Sequence, residues 1–233
     1  MVLAEEVKAL IGSERDALAG ILLIAARRAL GELQISDRFA FDLGEGLREV
    51  CGKVGDGEFV RDRPTSGVLS ALYEGPAKWS AALEAVLGQL EKDSSSQVKI
   101  LDLGFGCAAP AVAAAVAATH WSKLSAREMP QMQVHIVDSS PFVLRFLQDY
   151  LWPEVTAEYP GAAMVELTFD HNTCVLDANG NDDDLWVFAG YLFDHVNHRE
   201  GFIQEFADAI EIRQPGHVFV IGPAGVLSYD LAY

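Results

Sequence analysis

The sequence predicts an α/β fold, a doubly wound and mostly parallel sheet with an N-terminal helical region ahead of it. Three observations carry that expectation. From about residue 98 onward, short runs rich in β-branched and aromatic residues alternate with helical stretches, the order that builds a parallel sheet with helices on both faces. The first of those runs ends in a glycine-rich turn, and the first 95 or so residues show helical periodicity without any strand pattern. The chain therefore divides into a helical region over 1–95 and a sheet domain over 96–233.

Along 2–33, Leu18, Ile21, Leu22, Ala25 and Leu30 recur at helical spacing with charges between them, which reads as one or two amphipathic helices. A further helix is expected over 39–50, and the four glycines, Pro64 and charges of 51–67 read as a loop or connector. Leu72, Trp79, Leu83, Val86, Leu87 and Leu90 resume the helical pattern over 68–90. Strands are then expected over 98–103, 134–137, 164–169, 185–192 and 217–221. Helices are expected between them over 110–120, 141–152 and 202–212, with Pro110 suited to a first helical turn.

The chain of 233 residues is 50% hydrophobic and 22% charged, values of an ordinary globular protein. At that length it can bury about 70% of its unfolded surface. Cys51, Cys107 and Cys174 form no C-x-x-C pair and no zinc-like grouping, so a reducing cytoplasmic setting is the simplest expectation. The apolar run 19–26 has acidic residues before it and Arg27 and Arg28 after it, the wrong order for a signal peptide. No run reaches the roughly 18 apolar residues of a membrane span. With 17 basic and 34 acidic residues the formal charge is −17, a field that repels polyanions and argues for a small-molecule substrate or a protein partner over nucleic acid.

In an open parallel sheet, ligands collect beyond the carboxyl ends of the strands. The segment 99–106 places a glycine turn there. Asp102 stands inside an otherwise apolar strand, where an ionised carboxylate is expensive unless a hydrogen-bond donor, such as a cationic ligand group, meets it. Asp102, Gly104 and Gly106, followed by Ala108 in place of a third glycine, resemble the first motif of the class I, Rossmann-like S-adenosylmethionine-dependent methyltransferases. Asp138, with Ser139 and Ser140 before Pro141, resembles that family's second motif, whose acid binds the cofactor ribose. Asp170 and His171 stand where the family contacts adenine, Ala189 lies in a segment that matches its fourth motif, and 214–217 resembles the turn before its fifth strand. Tyr73 resembles an aromatic that several relatives place over the cofactor. The resemblance spans about 68–223 and implies S-adenosyl-L-methionine as cofactor.

Other readings stand beside this one. Gly104-x-Gly106-x-x-Ala109 is also a legal dinucleotide fingerprint, although the acid expected about 20 residues on is farther away here. Asp138 could serve as a helix N-terminal residue, His171 as a loop residue, and Tyr73 as core.

Methyl transfer needs chiefly alignment, plus a base where the nucleophile carries a proton. The exit of the fourth strand, 189–195, lacks the Asn/Asp-Pro-Pro-aromatic signature of enzymes that methylate the amino groups of nucleic acid bases. It looks instead like small-molecule O-methyltransferases, which often place a His-Asp pair here. The order is reversed in Asp194-His195, and His195 is the candidate base beside the plainer reading of a helix cap and a surface histidine. Asp182 to Asp184 read as a solvated turn, so no metal is implied. Only about ten residues follow Pro223, where the family adds a helix and an antiparallel strand pair. The final strands are thus expected to be truncated or absent, with a homodimer or protein partner covering the sheet edge. The leading expectation is a methyltransferase whose helical region lids the site and selects the acceptor. The alternative is a non-catalytic cofactor-binding or scaffold subunit.

Overall fold

A computed structural model of the chain describes residues 2–32, 64–104, 106–172, 185–190, 202–222 and 225–229. The helix expected over 39–50 and most of the connector after it lie outside these residues, as do Asp182 to Asp184.

Helix α1 (Val2–Glu32) is a single helix, and α2 (Ser66–Lys92) follows. Then come β1 (Gln97–Leu103), α3 (Ala109–Leu124), β2 (Gln131–Asp138), α4 (Pro141–Phe146), α5 (Trp152–Glu158), β3 (Val165–His171), β4 (Leu185–Ala189), α6 (Phe202–Arg213), β5 (His217–Gly222) and β6 (Gly225–Tyr229). A π-helical turn, Leu147–Leu151, joins α4 to α5, and a 3₁₀ turn, Pro160–Met164, leads into β3. The π turn has a local cause. Pro153 lacks the N–H that a continuous α-helix would give to the carbonyl of Asp149, and the preceding turn widens to accommodate its ring.

The strands form one sheet in the order β3-β2-β1-β4-β5-β6, with the first five parallel and β6 antiparallel to β5. The α/β expectation with a mostly parallel sheet therefore holds. One strand beyond those expected is present: 225–229 turns straight back and pairs with 218–222. A hairpin needs only a short link, whereas the parallel strands each need a crossover.

Strand alternation sends Val98 and Ile100, Met132, Val134 and Ile136, Trp186 and Phe188, and Phe219 and Ile221 to one face, into a large core shared with α1 to α4. Leu101, Leu103, Val137, Val187, Val218 and Val220 face the other way, onto Phe206 and Ala209 of α6. The β1-α3-β2 crossover runs outward on the first face and β4-α6-β5 runs the opposite way on the second. This is double winding, and it puts the reversal of strand order between β1 and β4.

The N-terminal helices belong to that larger core. In α1, Leu18, Ile21, Leu22, Ala25 and Ala29 make the buried stripe. Polar ties fix its position: the Tyr150 hydroxyl donates to Glu32 at 2.7 Å, the Tyr159 hydroxyl to Glu14 at 2.8 Å, and His120 lies 3.2 Å from the same Glu14 carboxylate. Arg28 pairs with Glu154. Arg127 closes the C-terminal end of α2, donating to the carbonyl of Asp93 at 2.7 Å and to that of Glu91 at 2.9 Å.

Both tyrosines hold their protons above the ordinary value of 10.0. For Tyr159 burial is the main cause, followed by the hydrogen bond to Glu14; for Tyr150 the bond to Glu32 leads, followed by burial. A raised folded-state value adds stability that is complete below the unfolded value and is lost as pH climbs above it. The midpoint of thermal unfolding should therefore fall from about pH 10 upward, and Tyr159→Phe should flatten that fall while lowering stability at neutral pH.

Gly161 sits where a Cβ would come within 2.2 Å of the Thr119 backbone nitrogen and 2.5 Å of the Ala118 carbonyl carbon, whereas Gly88 in α2 faces open space. Gly161→Ala should destabilise by about 3 kcal/mol, since neither neighbour is a flexible side chain. Gly88→Ala should stabilise by roughly 0.5–1 kcal/mol through helix propensity, and chemical denaturation of both variants measures the contrast.

Candidate functional site at the carboxyl end of the sheet

The parallel strands end nearly flush. Leu103 pairs with Val137 on one side and Ala189 on the other, and Asp138 pairs with His171. The carbonyl of Leu103 accepts the Gly190 N–H at 3.1 Å, and that of Asp138 accepts the Asn172 N–H at 3.2 Å, so the strand exits are tied to one another. Alternation places Asp102, Asp138 and His171 on the face that carries α2 and α3. Asp170 and Ala189 fall on the face that carries α6.

Between β1 and α3 the chain reverses within five residues. Gly104 has φ 66° and Gly106 φ 65°, and Ala108, with φ 47° and ψ 41°, is left-handed as well. A Cβ crowds the following carbonyl in that region, so a glycine takes it at no cost and an alanine pays about 1 kcal/mol. The alanine that departs from the family motif therefore adopts a glycine's conformation. From β2, the carbonyl of Val137 accepts the Gly104 N–H at 2.9 Å. From α2, the Trp79 indole donates to the carbonyl of Cys107 at 2.8 Å, a buried bond across 28 residues of sequence. Helix α3 then starts with Pro110 in its first turn, its N–H groups and positive dipole end directed at the carboxyl edge of the sheet.

Asp102 is fully buried at 0% exposure, and Asp138 nearly so at 1%. One Asp138 carboxylate oxygen accepts the Ser140 N–H at 2.8 Å, and the Ser140 hydroxyl accepts the Val143 N–H at 3.3 Å, capping α4. Asp138 thus orders the turn it stands in as well as presenting a carboxylate at the strand end. The His171 ring nitrogen lies 3.0 Å from the carbonyl oxygen of Ser139, which holds the imidazole over the β2 exit. Tyr73 lies in α2; His195 and Asp194 lie outside the described residues. Among the described residues, no group of three or more His, Cys, Asp or Glu side chains could hold a metal, and no helix is long and apolar enough to cross a membrane.

Trp79 was legible in the sequence only as one apolar position in a helical stripe. Its chemistry offered a further signal, because an indole N–H in a buried helix has no acceptor within its own backbone ladder and must find one elsewhere.

A scan against protein-family models finds no match to this chain, and a search of curated proteins finds none either.

Ala108→Gly should stabilise the fold by about 0.5 kcal/mol, the relief of about 1 kcal/mol of left-handed strain being offset in part by the greater freedom of glycine in the unfolded chain. Urea denaturation of the pair measures it, and a loss of stability would show that the Ala108 methyl contributes more by packing than it costs in backbone strain.

Proposed function

We propose that this protein is a class I, Rossmann-like methyltransferase that binds S-adenosyl-L-methionine at the carboxyl end of β1 and β2. The observation that carries the reading is the placement of two buried carboxylates, Asp102 and Asp138, on one face of adjacent strands, beside a left-handed turn that opens into a helix N-terminus. This donor and acceptor set suits the ligand. Backbone N–H groups at the start of α3 suit a carboxylate, Asp102 suits an ammonium group, and Asp138 suits vicinal ribose hydroxyls. His171, Asp170 and Ser139 would border the adenine, with Ala189 at the neighbouring strand exit and Tyr73 supplied from α2.

When bound, the sulfonium supplies an electrophilic methyl group. The chain's own task is to align an acceptor behind that methyl and exclude water, a role the reading gives to the helical region, with His195 as the candidate base. The net charge of −17 favours a small-molecule acceptor over nucleic acid, and the absence of any C-x-x-C pair or regular cysteine framework accords with a reducing, cytoplasmic setting.

Two observations favour catalysis over a purely scaffolding role. Ala108 adopts the conformation the turn demands, and β6 gives the outer side of β5 a partner. A dinucleotide site is the less favoured ligand class, because Asp102 is buried two residues ahead of the first glycine, beside the position a pyrophosphate would take, where two negative charges would meet.

Calorimetric titration with S-adenosylmethionine and S-adenosylhomocysteine should show micromolar binding, weakened at least tenfold by Asp138→Ala, with nicotinamide and flavin dinucleotides failing to compete. No binding by the folded wild-type protein would sink the reading.

A further inference from the structure

Helix α2 reaches the glycine turn through a buried polar contact, the bond from the Trp79 indole to the Cys107 carbonyl. Trp79 is 1% exposed, so water does not compete for that carbonyl. A peptide unit is planar, with its C=O and N–H pointing in opposite directions. Drawing the Cys107 carbonyl toward α2 therefore turns the Ala108 N–H away from α2. Ala108 is the last of the left-handed residues and the residue from which α3 starts, its own carbonyl accepting the Val112 N–H at 3.0 Å. The orientation of one peptide thus sets both the turn and the helix N-terminus.

The position of the indole is in turn set by the helical layer. At Gly75 a Cβ would stand 3.5 Å from the Trp79 ring and 3.6 Å from the Leu22 side chain of α1, so α1, Gly75 and Trp79 meet at one point. Pro76 follows at once inside α2 and removes the hydrogen bond that its position would give to Leu72, so the helix is weakened about one turn before the clamp.

We propose that Trp79 is a positioning residue: its indole N–H holds the 104–108 turn in the shape that binds ligand, and so makes affinity at the carboxyl end of the sheet depend on how α1 and α2 are packed. Which ligand the turn binds rests on the function proposed above; the clamp itself does not.

The test replaces Trp79 by phenylalanine and, should that variant not fold, by benzothienylalanine, an isostere with sulfur in place of the N–H. Trp186→Phe serves as the packing control, because that indole is fully buried in the same core and its N–H has no partner among the described residues. In the ligand-free protein, amide hydrogen exchange at Gly104, Gly106, Cys107 and Ala108 should quicken by about tenfold in the Trp79 variant, the equivalent of one neutral hydrogen bond. It should stay unchanged in the control. Equal exchange in the Trp79 variant and wild type, or equal acceleration in both variants, overturns the proposal.

S-adenosylhomocysteine should bind the Trp79 variant about tenfold more weakly than wild type and the control unchanged. An unchanged Kd in the Trp79 variant overturns the positioning role. A wild-type protein that binds no adenosyl compound removes the proposed function, while the exchange comparison still decides the clamp.

Discussion

The reversal between β1 and α3 is the constraint on which the rest depends. The chain leaves the middle of the sheet and must begin a helix lying back against the same sheet within five residues, and among the described residues of that turn three are left-handed, one of them an alanine. Such a turn is held only if its surroundings over-determine it. Here Val137 takes the first N–H, Trp79 takes the carbonyl of residue 107, and the packed start of α3 takes the carbonyl of residue 108. The shape of the turn therefore depends on contacts from both β2 and α2. Because the sheet reverses its strand order beside it, the same turn borders the crevice where ligands collect in such sheets.

The alternation of strands and helices was readable because the central strands β1 and β4 are compact apolar runs, and five strand-like runs mostly separated by helical patterns leave few topologies. The turn at 104–106 and the acids at 102 and 138 were readable because glycines after a strand, and charges inside or at the end of one, are rare enough to need a reason. β6 was not readable. Its five residues carry no strong alternation, and it exists because β5 offers an edge to pair with, which is a tertiary cause. The π turn was obscured because Pro153 in a helical pattern marks a disturbance without saying how the preceding turn absorbs it. The faces of Asp170 and Ala189 follow from sheet register, which no local pattern near those residues reports.

Asp138 illustrates why a motif and its plainer explanation need not compete. The carboxylate accepts the Ser140 N–H, as a residue that shapes a helix start should, and it also lies at the exit of β2 beside His171 and across from the glycine turn. A carboxylate has two oxygens and about four acceptor positions, so one bond to the backbone fixes its orientation without exhausting its capacity. The structural role supplies the rigidity that a ligand-binding role requires.

The chain's indoles separate packing from positioning. Trp186 is fully buried against His217 and Phe219 with its N–H unmatched among the described residues, a burden of about 1–3 kcal/mol by the usual cost of an unpaired buried donor. The fold evidently carries that cost where a large ring is needed to fill space beneath β4. At Trp79 the same side chain is equally buried, yet its N–H meets a carbonyl of an irregular segment that the sheet and helices do not shape by themselves. If bulk alone mattered at position 79, a phenylalanine would fill much of the same volume with no polar group to satisfy. The indole N–H is useful there because the peptide it holds has a direction, and the direction of that peptide decides which way the turn's remaining donors point.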